Sequence, residues 1–154
     1  MRVLFVCLGN ICRSPTAEGV FRQRLAAAGL AERVVVESAG TAAWHTGKAP
    51  DARTCAAARR RGYDLSALRA RQVRPEDFER FDLILAMDQD NLANLQRLQE
   101  GQGRAELDLL LARYGLPVAE VPDPYYGGDE GFEQVLDLIE QACEGLLAEV
   151  RSRL

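Results

Sequence analysis

Short runs of continuous apolar residues alternate along the chain with longer stretches in which apolar residues recur at 3.6-residue spacing. Arg2 to Val6 reads as a strand covered on both faces, given its β-branched content (Val3 and Val6) and the continuous apolar run from Val3. Pro15 to Ala28 places Ala17, Val20, Phe21, Leu25 and Ala28 on one helical face, with Gly29 as the residue that stops it. Val34 to Glu37 reads as a second strand that runs into Ser38-Ala39-Gly40-Thr41. A β-α-β unit of this length requires parallel strands.

The pattern then repeats. A loop with Trp44, His45, Gly47 and Lys48 precedes an alanine-rich helix from Pro50 to Gly62. Residues 66–72 are polar and irregular, and Pro75 to Arg80 makes a short helix. Phe81 to Ala86 is the next buried strand, and Asp88 can cap a helix carrying Leu92, Leu95 and Leu98. Leu107 to Leu111 fits either a strand or a helical turn, and the preceding alternation favours a fourth strand. Residues 121–128 cannot be helix or central strand, because Pro122 and Pro124 bracket Asp123. The last segment is helical, with Phe132, Val135, Leu136, Ile139, Ala142, Cys143, Leu146 and Val150 on one face. Strands and helices alternating in this way predict an α/β fold: a three-layer sandwich on a short parallel sheet, residues 1–154 forming a single domain.

Composition narrows the function classes. The net charge is −4, which argues against nucleic acid as a partner. No apolar run approaches the roughly 20 residues that span a bilayer, and the opening M-R-V-L-F-V is too short for a secretory signal. The expectation is a cytoplasmic protein with no membrane insertion. In that compartment cysteines 7, 12, 55 and 143 are thiols rather than a disulfide framework. Cys7 and Cys12 lack a second pair at zinc-finger spacing, so no structural metal is expected.

The chemistry concentrates where the first strand ends. Cys7-Leu8-Gly9-Asn10-Ile11-Cys12-Arg13 is a tight loop, and Ser14-Pro15 reads as an N-cap followed by the first helical residue. A strand, loop and helix N-terminus in this order gather unpaired backbone N–H groups and attract anions. Such a field, with a guanidinium nearby, favours the thiolate of a cysteine. Arg13 offers a planar fork for two phosphoryl oxygens, and Asn10 tolerates the left-handed backbone that a phosphate cradle needs. Ser14 can donate toward the thiolate. In α/β sheets of this kind ligands bind beyond the carboxyl ends of the strands, where Cys7 falls. A nucleophile attacking phosphorus also needs an acid for the departing oxygen. His45, the single histidine, is a loop residue that reads as solvated surface. Asp123 in D-P-Y-Y-G is the better candidate, since shielding by aromatic rings favours a protonated carboxyl.

Together, V-C-L-G-N-I-C-R-S-P at 6–15 and D-P-Y-Y-G at 123–127 resemble the low-molecular-weight protein tyrosine phosphatases. S-A-G-T at 38–41, A-R-Q at 70–72 and F-D-L-I-L-A-M-D at 81–88 match the family pattern in the same order. The resemblance implies a four-stranded parallel sheet flanked by helices on both faces, no cofactor or metal, and hydrolysis of phosphotyrosine in proteins through a phosphocysteine intermediate, with inorganic phosphate as product. It makes Cys7 the nucleophile, Arg13 the transition-state clamp and Asp123 the acid and then the base. Leu8, Gly9, Asn10, Ile11, Cys12, Arg13 and Ser14 would bind the phosphate. Asn10, Ser14 and Ser38 would brace the loop, and Leu8, Ile11, Trp44, Tyr125 and Tyr126 would wall a slot deep enough for an aryl phosphate. Cys12 would allow reversible oxidation with Cys7.

One position departs from the family. A histidine usually stands three residues before the arginine of A-R-Q, and this chain has Leu68. Leucine cannot hydrogen-bond, so either water takes its place or the loop is held less rigidly. Two other enzymes use the same fold. A thioredoxin-coupled arsenate reductase needs further cysteines after the third strand, and residues 82–100 contain none. A protein-arginine phosphatase carries a small polar residue in place of the loop isoleucine, which here is Ile11.

Overall fold

The computed structural model describes residues 1–125 and 127–154. The sheet is built from β1 (Arg2–Cys7), β2 (Val35–Gly40), β3 (Leu83–Ala86) and β4 (Glu106–Leu109), all parallel, in the order β2-β1-β3-β4. Side chains alternate across it. Val3, Phe5 and Cys7 of β1 face one core with Leu83 and Leu85, while Leu4 and Val6 face a second core with Ile84 and Ala86. Both faces are therefore apolar, which is why these strands read as unbroken hydrophobic runs.

The first core is closed by α1 (Arg13–Ala27), α2 (Ala52–Arg60) and the long α6 (Asp129–Arg153). The eight apolar positions picked out on α6 are all buried. The second core is closed by α3 (Asp77–Arg80) and α4 (Gln89–Gln99), with Phe78 and Leu95 buried in it. Leu98, one of the three leucines that mark α4 in the sequence, is exposed. The three-layer arrangement is as expected.

Several local features differ from the sequence reading. Helix α1 begins at Arg13, with Cys12 at the N-cap position and no side-chain cap, so Ser14 is a helical residue rather than a cap. Its hydroxyl is drawn to Cys7 and Asn10 instead. Pro15 then stands third in the helix, where its missing N–H is still without cost. Helix α2 begins at Ala52, with Asp51 as the cap accepting from the Arg53 N–H at 2.8 Å. Strand β2 continues through Ser38 and Ala39 to Gly40, because each pairs with β1 as far as Cys7. Leu107–Leu111 is both things the pattern allowed: β4 ends at Leu109 and a single turn, α5 (Leu110–Arg113), follows directly.

Strand order sets the position of the site. From β1 the chain moves to one side to form β2, then returns to form β3 on the other side. The carboxyl end of β1 is the point at which this direction reverses, and Cys7 is its last residue.

Candidate functional site

The loop after Cys7 is braced from below by the end of β2. Thr41 and Ala42 donate backbone N–H groups to the carbonyls of Cys7 (2.9 Å) and Leu8 (3.0 Å). Gly40 permits this approach: a β-carbon there would lie 2.7 Å from the Leu8 carbonyl oxygen. No backbone N–H of Gly9, Asn10 or Ile11 donates a hydrogen bond among the described residues. These groups remain available to an anion.

Asn10 is the centre of a buried network. Its backbone is left-handed (φ 58°), and its side chain points away from the cleft into the protein. The carboxamide oxygen accepts from the Arg71 backbone N–H at 3.0 Å, which fixes the amide orientation. Its NH2 group donates to Ser14 Oγ (2.8 Å) and Ser38 Oγ (3.0 Å). The Ser38 hydroxyl donates to Glu18 Oε1 at 2.7 Å, and Glu18 pairs with Arg22 at 2.6 Å. Burial holds Glu18 above the ordinary carboxylate range, against the opposing pull of Ser38 and Arg22. On the other branch Ser14 Oγ lies 3.0 Å from Cys7 Sγ and 3.4 Å from the Ala39 carbonyl. Because Ser14 already accepts from Asn10, its one proton is directed to the nearer sulfur whenever that sulfur is a thiolate.

This network answers the question raised at Leu68. That side chain is half-buried and packs on the first core. The NH2 and oxygen of Asn10 are both engaged by Ser14, Ser38 and a backbone N–H, so the loop is tied without a polar group at position 68. Glu18 was not foreseen. It stands on an ordinary helical position, and only the packing of α1 against β2 brings it to Ser38.

Arg13 is 3% exposed. Nη1 donates to Asp88 Oδ2 (2.7 Å) and to the Val121 carbonyl (3.0 Å). Burial works against its charge, but Cys7 and Asp88 outweigh that and hold the guanidinium above its ordinary range. Nε makes no hydrogen bond among the described residues, and Nη2 is 3.7 Å from Asp123 Oδ2. The Nε–Nη2 edge is thus the side open to a bidentate anion. Asp88 has two roles where the sequence suggests only a cap. It does cap α4, accepting from the Asn91 N–H at 2.8 Å through Oδ1, while Oδ2 holds Arg13.

A cleft of about 240 Å³ opens above Cys7. Leu8, Gly9, Ile11 and Cys12 form one part of its lining and Arg13 its floor, while Trp44, Asp123 and Tyr125 stand around it. Trp44 is 70% exposed, so it is a rim residue rather than the wall of a closed slot. Asp123 is less shielded than expected: its side chain is 41% exposed, and Oδ1 accepts from the Tyr125 N–H (3.1 Å) in a local turn. The expected position of Tyr126 on the wall lies outside the described residues. His45, discounted as surface, also lines the cleft. Its ring sits so close to the loop that a β-carbon at Gly9 would come within 2.9 Å of it.

Cys12 is buried, and burial pushes its thiol up to about 12. All four cysteines are free. Among the described residues no group of histidine, cysteine and acidic side chains is arranged to hold a metal, and no helix is long and apolar enough to cross a membrane.

Sheet order, loop and cleft define an α/β protein in which a cysteine, an arginine and an aspartate converge at the switch point of a parallel sheet. The profile of the family described as low molecular weight phosphotyrosine protein phosphatase matches residues 2–154. A low molecular weight protein-tyrosine-phosphatase of Streptomyces coelicolor is 48% identical over 157 residues, covering 99% of this chain and 95% of its own. The crystal structure of a protein tyrosine phosphatase from Entamoeba histolytica superposes with a TM-score of 0.93 at 40% identity, covering 99% of this chain and 97% of its own. A Drosophila arginine phosphatase superposes with a TM-score of 0.92 at 32% identity, covering 97% and 98%. The chain belongs to the low molecular weight phosphotyrosine protein phosphatase family.

Proposed function

We propose that this protein hydrolyses phosphotyrosine in proteins, and small aryl phosphates, through a phosphocysteine intermediate. The observation that carries the proposal is the convergence of Cys7, the open edge of Arg13 and Asp123 around one cleft. Cys7 Sγ attacks phosphorus, and the bond to the phenolic oxygen breaks as Asp123 gives that oxygen its proton. Arg13 spans two equatorial oxygens of the transferring group, and the backbone N–H groups of the loop bind the third region of charge. Water then attacks the phosphocysteine, Asp123 takes its proton, and the thiolate leaves into the hydrogen bond from Ser14. Inorganic phosphate is released, and no cofactor or metal takes part in this sequence. Leu8, Ile11, Trp44 and Tyr125 offer apolar surface to the ring. The substrate is a protein of the cytoplasm, and neither nucleic acid nor membrane insertion is involved.

The site residues divide by role. Cys7, Arg13 and Asp123 are the catalytic set, residues 8–14 the phosphate cradle, and Asn10, Ser14 and Ser38 its bracing. The arginine phosphatase neighbour raises phosphoarginine as the other substrate for this geometry. Ile11 on the cleft lining favours the aryl ester, because an apolar side chain leaves a guanidinium without a partner. Purified protein tested side by side on phosphotyrosine, phosphoarginine, phosphoserine and arsenate should turn over phosphotyrosine with the highest kcat/KM. A preference for phosphoarginine would overturn the assignment of substrate, and activity surviving in Cys7→Ser would overturn the mechanism.

A further inference from the structure

Asp123 has few restraints of its own. Its side chain is 41% exposed, and among the described residues it meets only the Tyr125 N–H and, at 3.7 Å, Arg13. An acid held so loosely needs its loop placed by something else. The Tyr125 backbone is the obvious handle, since its N–H donates to Asp123 and its carbonyl is gripped from another element. Arg53, the second residue of α2, donates through Nη2 to the Tyr125 carbonyl at 2.9 Å.

Arg53 is itself anchored. Nε and Nη2 reach the two oxygens of Asp51 at 3.2 and 3.1 Å. Its guanidinium carbon lies 4.8 Å from the Phe132 ring centre and 5.5 Å from that of Tyr125. Asp51 in turn donates its backbone N–H to the Ile11 carbonyl at 2.9 Å. A continuous path of hydrogen bonds therefore runs from the cysteine loop at Ile11, through Asp51 and Arg53, to Tyr125 and Asp123. It links two loops 112 residues apart in sequence (11 to 123). An exposed Arg–Asp pair with no further partner would contribute little. Here the same guanidinium also holds a carbonyl and covers two rings, a combination that a planar fork can manage and an ammonium cannot.

We propose that Arg53 is a positioning residue for the general acid, acting on Asp123 through the Tyr125 backbone. The inference rests on the reading of Asp123 as the acid. Departure of a poor leaving group depends on that acid and departure of a good one does not. Phenyl phosphate and 2,4-dinitrophenyl phosphate therefore separate placement of Asp123 from general loss of structure.

The test uses Arg53→Ala, Arg53→Met, Asp123→Asn and the double variant Arg53→Met with Asp123→Asn, with thermal unfolding followed for each. Arg53→Met keeps an unbranched stem and removes the guanidinium with its donors and charge. Both Arg53 variants should lower kcat/KM on phenyl phosphate about tenfold and change kcat/KM on the dinitrophenyl ester by no more than about twofold, because kcat/KM reports the step in which the leaving group departs and not the later hydrolysis shared by both esters. In the Asp123→Asn background, Arg53→Met should add no more than about a further twofold, since the acid it positions is already gone. Equal losses on both esters, or an undiminished loss in the Asp123→Asn background, would overturn the proposal while leaving the acid in place. If Asp123→Asn itself affected both esters alike, the acid reading would fail and the positioning role with it.

Discussion

Arg13 and Asp88 meet at 2.7 Å through a single carboxylate oxygen, while the other oxygen of Asp88 caps helix α4. One side chain thus starts a helix in the second core and sets the angle of the guanidinium beneath the cleft. Because Nη1 is taken up by Asp88 and by the Val121 carbonyl, Arg13 can turn only its remaining edge toward a phosphoryl group. Asp88→Asn keeps a good cap and loses the charge that orients Arg13. We expect kcat/KM for p-nitrophenyl phosphate to fall about tenfold, the loss of roughly 1.4 kcal/mol from a charge-assisted hydrogen bond. The melting temperature should move little. A fall in stability without a fall in kcat/KM would mean that Asp88 acts as a cap alone.

Asn10 combines a left-handed backbone with three hydrogen bonds. The two contributions are separable. Asn10→Gly keeps the backbone and removes the bonds, whereas Asn10→Ala removes both. Each buried bond lost should cost about 1 kcal/mol, and the positive φ about another 1 kcal/mol for alanine. Denaturant titration should therefore place Asn10→Ala below Asn10→Gly, with both well below the parent protein and both weak as catalysts. Equal stability of the two variants would show that the backbone conformation carries no cost.

The cysteines differ in environment. Cys12 and Cys143 are buried, and burial pushes each thiol up to about 12, while Cys55 is half-buried. In a Cys7→Ser variant, iodoacetamide at pH 8 should label Cys55 first. Cys12 and Cys143 should react only after denaturation. Mass spectrometry of the labelled peptides reads this directly. Rapid labelling of Cys12 in the folded protein would contradict its enclosure beneath the loop.

Acid stability should depend on Glu149. It accepts from Arg113 Nε and Nη2 at 2.9 and 2.7 Å, from the Tyr114 hydroxyl at 2.8 Å and from Arg153 at 3.1 Å. The Arg113 hydrogen bonds hold its carboxyl at about 2, below the ordinary 4.5. A carboxyl lowered by folding stabilises the protein fully above its unfolded value and loses that contribution as pH falls through the folded value. The interval is therefore about pH 4.5 down to about 2. Glu149→Gln should flatten the decline of unfolding free energy across that interval and leave the slope above pH 5 unchanged. An unchanged acid slope would place the sensitivity elsewhere.

What could be read without coordinates was local. Continuous apolar runs mark strands covered on both faces, and prolines around Asp123 rule out regular structure. The spacing of Cys7 and Arg13 puts a thiol and a guanidinium on one short loop. Strand content, layer architecture and the cleft residues between positions 7 and 13 were legible because each depends on a few consecutive residues. Caps were less so, since Ser14 has the composition of a cap and the position of a network member.

The remainder depended on which segments become neighbours, which sheet order and the packing of helices and loops around it decided. Placing β3 beside β1 brings Asp88 to Arg13, and seating α1 against β2 brings Glu18 to Ser38. The loop after β2 lays His45 over Gly9, and α2 reaches the aspartate loop through Arg53. None of these pairs has a sequence signal, because each joins groups 20 to 75 residues apart whose types are common on any surface. Even Leu68, a departure visible in the sequence, could be weighed only once the partners of Asn10 were seen to be in place. The sequence determined which candidate groups stand on the loop after β1 and on the segment around Asp123; the fold decided how firmly each is held, because restraint comes from neighbours the chain meets only after the sheet has formed.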